Sequence, residues 1–396
     1  MRPLEGITVV SLEHAVAAPF ATRQLAELGA RVIKIERPGD GDFARRYDSR
    51  ARGLSSYWVW INRSKESLTL DLKDAQARSL LRALLARADV LVQNLAPGAA
   101  ARLGLSHEAL APDHPRLVVC DISGYGDDPR RPGPSRERKA YDLLIQADAG
   151  LLSVTGTPAE VARAGISVAD IAAGMYAYSA VLAALLQRGR TGLGSRIDVS
   201  MLEALAEWMG NPLYYGMDGQ PGAPRAGASH PSIYPYGPFA TGDGRSVLFG
   251  LQNEREWEAF CRVVMRDPAL ATDPRFDTNA RRSERRAELK ALIEAEFAPL
   301  DAGQVVARLD EARIGNAFVN DMQGLWQHPQ LQARERWVAV GSPVGALPML
   351  RPPAPNSSFE PRLDPIPALG EHTDAILAEL GCTPQDIGAM RARGAI

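Results

Sequence analysis

Residues 7–13 (ITVVSLE) and 31–36 (RVIKIE) flank a stretch with helical spacing, residues 18–28, which ends at Gly29. The two flanking segments are short and rich in β-branched residues, which is typical of β-strands. A glycine directly after the last apolar residue is a common helix end. The start of the chain therefore predicts a strand, a helix and a second strand.

The same alternation continues to residue 123. Residues 74–88 have helical spacing, and three further segments have strand character: residues 67–72 (SLTLDL), 89–93 (DVLVQ) and 117–123 (LVVCDIS). Near-continuous apolar strands that alternate with helices form parallel sheets covered on both faces. We therefore predict an α/β fold built on a parallel sheet.

The middle of the chain predicts a second, smaller domain. Residues 170–187 form a long helical pattern that is apolar on all sides and is therefore expected to be buried. Residues 210–242 are rich in Gly, Pro and Tyr and show little periodicity, as expected of a crossing segment and of a loop over a site. Further strand patterns follow at residues 196–199 and 246–250, and helical patterns at 254–265, 283–297, 302–312 and 373–380.

These patterns divide the chain into four sections. We predict a large domain over residues 1–205, a crossing linker over 206–225, a small α+β domain over 226–325, and a return linker with the C-terminal part of the large domain over 326–396.

Composition excludes several classes of protein. The 396 residues include 45 Lys and Arg against 47 Asp and Glu, so no global field favours nucleic acid or an anionic membrane. The three cysteines form no C-x-x-C pair, which argues against a disulfide framework and a zinc site. The N-terminus lacks the apolar core of a signal peptide, and residues 171–186 fall short of the ~20 residues of a membrane span. We expect a cytoplasmic protein without a bound metal.

Two nucleotide-binding motifs are absent. A dinucleotide site needs G-x-G-x-x-G after the first strand, and this chain has Glu13-His14-Ala15-Val16-Ala17 there. No P-loop motif occurs either, so NAD-dependent and P-loop NTPase functions are excluded. The small residues around His14 still permit a ligand above the strand ends. A lone histidine in such a turn is more often structural than functional.

Asp170 opens the long apolar helix. The pattern alone favours a helix N-cap. Backbone N–H groups at a helix start would also keep a partly buried carboxylate ionised, and an ionised carboxylate can act as a covalent nucleophile. Cations that follow the predicted strands could bind phosphate together, although each alone is more typical of a surface ion pair: Lys34, Arg37, Arg102 and Lys139.

Several blocks, in collinear order over nearly the whole chain, resemble the family III CoA transferases, or CaiB–BaiF family. Together they are far more specific than any one of them. They comprise residues 3–10 (PLEGITVV), 28–39 (LGARVIKIERPG), 62–67 (NRSKES), 97–98 (PG), 102–104 (RLG), 141–142 (YD), Asp170, 188–199 with Met201, and 369–374 (LGEHTD).

The resemblance implies an activity, a site and an assembly. It implies that Asp170 is a nucleophile that carries CoA as an aspartyl thioester, with CoA thioesters as substrates and no permanently bound cofactor. It further implies an interlocked, ring-shaped homodimer whose large domain is Rossmann-like. The residues that match CoA-binding positions of the family are His14, Arg37, Arg102, Lys139, Tyr141 and Asp142.

Residues 227–237 and 252–257 resemble the branch that acts on C4 and C5 dicarboxylates, since the glycine run of oxalate-using members is missing. This implies transfer of CoA from an acyl-CoA donor, succinyl-CoA, to citramalate, mesaconate, itaconate or malate. The free carboxylate of such an acceptor would suit an arginine with bidentate reach. The candidates are Arg45, Arg46 and Arg52.

Three alternatives stay open at this point. One is intramolecular C1-to-C4 transfer of CoA on mesaconyl-CoA. Another is the isomerase activity of α-methylacyl-CoA racemases, which have a histidine where this chain has Tyr141. Tyrosine, with an unperturbed pKa of about 10, is a poor general base at neutral pH. The third is a CoA-binding protein without catalysis, against which the retention of Asp170 argues.

Overall fold

The computed structural model describes all 396 residues, which separate into two compact units. Unit 1 comprises Met1–Gly150, Ala164–Gly210 and Ala333–Ile396. Unit 2 comprises Leu151–Arg163 and Asn211–Gln332. The segment Leu151–Arg163, which the sequence analysis places in the large domain, therefore belongs to the smaller unit.

Eleven strands and eighteen α-helices are the main elements of the two units. The strands are β1 Thr8–Leu12, β2 Arg31–Glu36, β3 Lys65–Thr69, β4 Val90–Gln93, β5 Val118–Ser123, β6 Arg196–Ser200, β7 Tyr236–Ala240, β8 Ser246–Gly250, β9 Asn316–Phe318, β10 Trp337–Val340 and β11 Leu347–Leu350. The helices are α1 Ala17–Glu27, α2 Ser56–Ile61, α3 Ala75–Leu85, α4 Ala99–Arg102, α5 His107–Leu110, α6 Asp142–Asp148, α7 Leu151–Val154, α8 Val168–Thr191, α9 Met201–Trp208, α10 Gly210–Tyr215, α11 Glu254–Ala259, α12 Asn279–Glu284, α13 Arg286–Phe297, α14 Ala302–Glu311, α15 Met322–Trp326, α16 Pro329–Ala333, α17 Thr373–Glu379 and α18 Pro384–Ala392.

Unit 1 is built on a six-stranded sheet in the order β3-β2-β1-β4-β5-β6, with every neighbouring pair parallel. The predicted α/β fold with a parallel sheet is confirmed. The strand order reverses between β1 and β4, so the carboxyl ends of these two strands lie side by side. Open α/β sheets bind ligands at such a reversal.

The third strand is shifted relative to its prediction. Residues 67–72 are apolar at every second position, yet β3 covers Lys65–Thr69. Leu70 is buried and Leu72 packs against the same core beyond the strand, which extends the apolar pattern past its end. The N–H of Asp71 already turns away, to the carbonyl of Ala395.

The free edge of β3 is closed by the C-terminal part of the chain. The N–H of Ser67 donates to Nδ1 of His372 at 3.2 Å, and the N–H of His372 donates back to the Ser67 carbonyl at 3.0 Å. The N–H of Thr69 donates to Oγ1 of Thr373 at 3.0 Å. These contacts satisfy backbone groups that an edge strand would otherwise leave unpaired.

Helix α8 differs from the prediction of a helix buried on all sides. One side packs against α1, α6, α9 and the strands β5 and β6. The opposite side is exposed, with apolar residues spaced along one stripe: Met175, Tyr176, Ala183 and Leu186. At 24 residues, α8 also extends beyond residues 171–186, and by length and composition alone it could cross a membrane. Within unit 1 it contacts the core along its buried side, as the interior helix of a packed domain does.

Unit 2 holds the antiparallel sheet β7-β8-β9 and a core rich in phenylalanine. Strand β8 and helices α13 and α14 lie where the sequence predicts them. Helix α11 stops at Ala259 and continues as a π-helical turn, Phe260–Val264. Strand β7 was not predicted, because Gly237 and Pro238 conceal its alternation within the Gly- and Pro-rich segment.

Candidate active site

Three polar residues meet at the strand reversal of unit 1. His14 follows β1, Asp42 lies beyond the end of β2, and Asn94 follows β4. The Asn94 side chain pairs with both backbone groups of His14: its Oδ1 accepts from the His14 N–H at 2.8 Å and its Nδ2 donates to the carbonyl at 2.9 Å. The turn after β1 is therefore tied to the neighbouring strand end.

That turn has a left-handed backbone at Ala15, with φ of 58°. Non-glycine residues rarely adopt this conformation, which costs about 1–2 kcal/mol. Oδ1 of Asp42 accepts the N–H of Ala15 at 3.3 Å and the N–H of Ala44 at 2.9 Å. Helix α1 begins directly after the turn, at Ala17.

Asp170 is the third residue of α8, so the predicted N-cap role is wrong. The N-cap position is Ser167, whose side chain makes no capping bond. The cap comes from another helix: Oδ1 of Asp142, the first residue of α6, accepts the N–H of Ala169 at 2.8 Å and of Asp170 at 3.3 Å. The other oxygen of Asp142 accepts from Nε2 of the buried Gln146 at 2.7 Å.

The Asp170 carboxylate is half-buried, and it lies close enough to the N–H of Ala17, the first residue of α1, for that dipole to act on it. Burial and the negative charge of Asp142 raise its pKa to about 7, and the Ala17 N–H opposes them. The expectation that the start of α8 keeps this carboxylate ionised is wrong, because Asp142 has taken the nearby N–H groups and adds its own charge. Near neutral pH about half of the molecules carry an ionised Asp170.

A series of aromatic rings extends from the turn. The His14 ring stacks on Phe43 at 5.3 Å between centroids, Phe43 contacts Tyr47 at 5.7 Å, and Tyr47 contacts Tyr57 at 5.3 Å. Burial and the charges of Asp42 and Asp170 raise the pKa of Tyr47 to about 12. Burial lowers the pKa of His14, so its imidazole is neutral at pH 7. These rings form a half-exposed wall of uncharged groups.

Three of the four predicted phosphate-binding cations are exposed and make no ion pair: Arg37, Arg102 and Lys139. The Arg102 guanidinium lies over Gly98, where a side chain would meet its Nη1 at 2.9 Å. Lys34 is the exception, because it is fully buried and its Nζ lies 2.7 Å from Oδ2 of Asp42. Lys34 is therefore not available to a phosphate.

The three arginines expected near the substrate carboxylate have different surroundings. Arg45 makes two hydrogen bonds of 2.8 Å to Glu36 and stacks on Trp58, so most of its guanidinium is engaged within unit 1, and its role toward a substrate stays a prediction. Arg46 forms an exposed ion pair with Asp40 at 2.7 Å. Arg52 donates to the carbonyl of Ala346 at 2.9 Å and makes no ion pair. For Arg46 and Arg52 the role stays a prediction.

Of the remaining predicted CoA-binding residues, Tyr141 is 66% exposed and His14 lies in the turn described above. Asp142 makes structural contacts with α8, and its predicted contact with CoA stays a prediction. No group of three or more His, Cys, Asp or Glu side chains is arranged to hold a metal.

Sequence reasoning missed Asp42 and Asn94. Asn94 directly follows a strand, and Asp42 lies in the glycine-rich stretch after another. Their positions at strand carboxyl ends, the signal used for His14, could have identified them.

The loop of residues 227–237 in unit 2, expected to cover a site, is held by side chains of α12 and α13. Asn279 accepts the N–H of Tyr234 at 3.0 Å and donates to the Ser232 carbonyl at 2.9 Å. Arg286 donates to the carbonyl of Pro231 at 3.0 Å. His230 stacks on Tyr236 with centroids 5.3 Å apart.

Known proteins resemble this chain over nearly its full length. The model of CoA-transferase family III matches residues 4–373. The succinyl-CoA:glutarate CoA-transferase of Mus musculus is 33% identical, over 96% of this chain and 87% of the relative. The succinyl-CoA–D-citramalate CoA-transferase of Chloroflexus aurantiacus is 31% identical, over 100% of this chain and 98% of the relative.

A solved structure, a CaiB/BaiF family protein from Brucella suis, superimposes with a TM-score of 0.85 at 33% identity and covers 96% of this chain and 99% of its own. The resemblance stated from the sequence blocks is thereby confirmed. The chain belongs to CoA-transferase family III, and its activity is that of a CoA transferase.

Proposed function

We propose that this enzyme transfers CoA from succinyl-CoA to a C4 or C5 dicarboxylate through a covalent aspartyl-CoA thioester at Asp170. The observation that carries the proposal is the carboxylate of Asp170, half-buried between the starts of α1 and α8 with a pKa near 7. Near neutral pH this group is ionised in about half of the molecules and poorly solvated, which suits a nucleophile.

The first half-reaction loads CoA onto the enzyme. An Asp170 oxygen attacks the thioester carbon of succinyl-CoA, the carbon–sulfur bond breaks, and a mixed anhydride and CoA thiolate form. The thiolate then attacks Cγ of Asp170. The bond between Cγ and the bridging oxygen of the anhydride breaks, and succinate leaves with that oxygen. Asp170 retains CoA as a thioester at Cγ.

The second half-reaction reverses these steps with the acceptor. A carboxylate oxygen of the acceptor attacks Cγ, CoA thiolate leaves, and a new anhydride joins Asp170 to the acceptor. The thiolate attacks the acceptor carbonyl and releases the Asp170 carboxylate. One thioester replaces another, so no ATP is consumed.

The neighbouring groups have separate tasks in this scheme. The N–H of Ala17 lies near the Asp170 carboxylate, and we assign it to the oxyanion that develops on that carboxyl during each attack at Cγ. Asp142 occupies the N–H groups of Ala169 and Asp170, so those two are not available for this task. The exposed Arg37, Arg102 and Lys139 suit the phosphates of CoA.

The names of two relatives support the substrate class. One is named for glutarate and the other for D-citramalate, both C5 dicarboxylates, and both are named for succinyl-CoA as donor. Within the C4 and C5 class we include citramalate, mesaconate, itaconate, malate and glutarate as acceptors.

A donor–acceptor matrix tests the proposal. Purified enzyme is incubated with succinyl-CoA and each of the five acids, and with acetyl-CoA and oxalate as the contrasting pair. We expect a new acyl-CoA with at least one of the five acids and turnover at least about 10-fold higher than with oxalate. Transfer only to oxalate would contradict the substrate class. Exchange of an α-proton of a branched acyl-CoA without transfer, or C1-to-C4 movement on mesaconyl-CoA alone, would contradict intermolecular transfer.

We also propose that unit 1 is a Rossmann-like domain and that two chains form an interlocked, ring-shaped homodimer in the cytoplasm. The strand order 3-2-1-4-5-6, which is that of dinucleotide-binding sheets, supports the first part. The exposed apolar stripe of α8 supports the homodimer, since such a surface favours association. The three free cysteines support the cytoplasmic location, because they suit a reducing compartment. Light scattering should give twice the 42.8 kDa chain mass, and a monomer mass would refute the dimer.

A further inference from the structure

Asp42 lies at the centre of the contacts that hold the β1–α1 turn. Its side chain is fully buried and both of its oxygens are used. Oδ2 accepts from Nζ of Lys34 at 2.7 Å, and Oδ1 accepts the N–H groups of Ala15 and Ala44. The same Oδ1 lies 4.0 Å from Nδ1 of His14. One carboxylate thus joins β2, the turn after β1 and the segment that carries Phe43.

Buried ion pairs keep Asp42 charged. Burial alone would raise its pKa, but the charge and hydrogen bond of Lys34 outweigh it and hold the pKa below its usual range. Lys34 in turn lies 3.5 Å from Glu13, which pairs with Lys65 at 2.7 Å. The buried group therefore contains two cations and two carboxylates, and its opposite charges balance.

The turn needs such support because of its backbone. Ala15 has φ of 58°, a conformation that an alanine adopts only when its surroundings hold it there. Asn94 fixes the turn from the β4 side through the backbone of His14, and Asp42 fixes it from the β2 side through the N–H of Ala15. The next residues begin α1, whose first N–H, that of Ala17, lies near the Asp170 carboxylate. The carbonyl of the same Ala17 packs closely against Gly174 of α8, one helical turn after Asp170.

We propose that Asp42 is a positioning residue for CoA transfer: it holds the strained Ala15 turn so that the start of α1, with the N–H of Ala17, stays in place beside the carboxylate of Asp170. The proposal rests on the proposed role of Asp170 as the nucleophile. Asp42 does not touch the reacting atoms. It acts through two residues of backbone, so its loss shifts a hydrogen-bond donor away from the charge that develops at Asp170.

The test replaces Asp42 in the whole 396-residue chain. For Asp42→Asn we expect kcat with succinyl-CoA to fall by about 10- to 100-fold, the cost of a small misplacement, while the Kd for succinyl-CoA changes less than about 3-fold. Asp121→Asn is the matched control, because Asp121 is also buried and paired, with Gln93 at 2.9 Å and Arg196 at 3.2 Å, but does not contact the turn. The control should keep its kcat.

Two variants of Ala15 separate positioning from general support of the fold. Ala15→Gly removes the cost of the left-handed backbone, so in the Asp42→Asn background it should restore kcat by at least about 3-fold. Ala15→Val leaves every buried ion pair intact and disfavours the same backbone, so it should lower kcat by about 10-fold or more. This second variant gives a result even if Asp42→Asn does not fold.

The outcomes distinguish this proposal from the nucleophile role. Unchanged kcat in Asp42→Asn or in Ala15→Val, or no recovery on adding Ala15→Gly, would overturn the positioning role. Failure of the nucleophile role has a different signature: active wild-type enzyme, quenched with hydroxylamine during turnover, would yield no hydroxamate at Asp170.

Discussion

Replacing Asp170 with alanine should abolish CoA transfer while succinyl-CoA still binds. Without the carboxylate no anhydride or aspartyl thioester can form, so we expect kcat to fall by more than about 10³-fold. The exposed cations assigned to the CoA phosphates are untouched, so the Kd for CoA should change less than about 3-fold. Steady-state turnover and calorimetric binding measure the two quantities.

Asp148→Asn is the control for this variant. Asp148 ends α6, is exposed, and accepts from the Tyr125 hydroxyl at 2.6 Å. Its substitution should leave turnover unchanged. Near-native turnover in freshly purified Asp170→Ala would show that no covalent aspartyl intermediate is required.

The isosteric variant Asp170→Asn carries a further expectation, a gain of stability above neutral pH. The wild-type carboxyl has its pKa raised from 3.8 to about 7, so ionising it costs folding free energy. This cost is absent below pH 4, where the group is neutral in both states, grows as the pH rises towards 7, and is complete above it. Asparagine keeps an oxygen for the Ala17 N–H and never ionises.

Urea unfolding at two pH values measures this gain. The pKa difference corresponds to at most about 4 kcal/mol, and screening at the exposed edge of Asp170 reduces it to roughly 1–3 kcal/mol at pH 8. At pH 5 the gain should be less than half as large. An equal or larger gain at pH 5 would show that the folded pKa of Asp170 is not raised.

Gly174→Ala should lower both stability and turnover. Gly174 lies one helical turn after Asp170 on the side of α8 that meets α1. A Cβ there would lie 2.7 Å from the carbonyl oxygen of Ala17 and 3.0 Å from the ring of Phe20. The backbones would have to separate, at a cost of about 1–3 kcal/mol. Because Ala17 also lies beside the Asp170 carboxylate, we expect kcat to fall by about 10-fold or more.

Gly189→Ala gives the same substitution in the same helix without the contact. Nothing lies within 4 Å of a Cβ at Gly189, so alanine should stabilise α8 by up to about 1 kcal/mol and leave kcat unchanged. Thermal unfolding and turnover of the two variants, measured side by side, test the expected difference between them. Equal behaviour of both would mean that the close approach of α8 to α1 does not position Asp170.

Local pattern was sufficient to predict the parallel sheet. The strands of unit 1 are short apolar runs separated by helices, and each run carries its own signal in the sequence. Strands β7 and β11 carry no such signal, because Gly and Pro interrupt the first and Pro interrupts the second. Their strand conformation depends on pairing with neighbours rather than on their own residues.

The candidate site was predictable only where one residue carries the chemistry. Asp170 was found from the start of an apolar helix, together with the family resemblance. The raised pKa of Asp170 was not predictable from the sequence, because it depends on Asp142. That residue lies 28 positions earlier, and the fold brings it against α8. The availability of the predicted cations depends on the fold in the same way. The sequence does not distinguish the exposed Arg102 from Arg45, whose guanidinium is bound to Glu36.

Closure of the β3 edge has a consequence for synthesis of the protein. Residues 372 and 373 complete the backbone pairing of a strand that leaves the ribosome some three hundred residues earlier, and Ile376, Ile387 and Met390 fill the same core. Until translation has passed these residues, the nascent sheet exposes both an unpaired border and an apolar face. Unit 1 must therefore mature late, and chaperones that shield emerging chains should hold it until its last helices arrive.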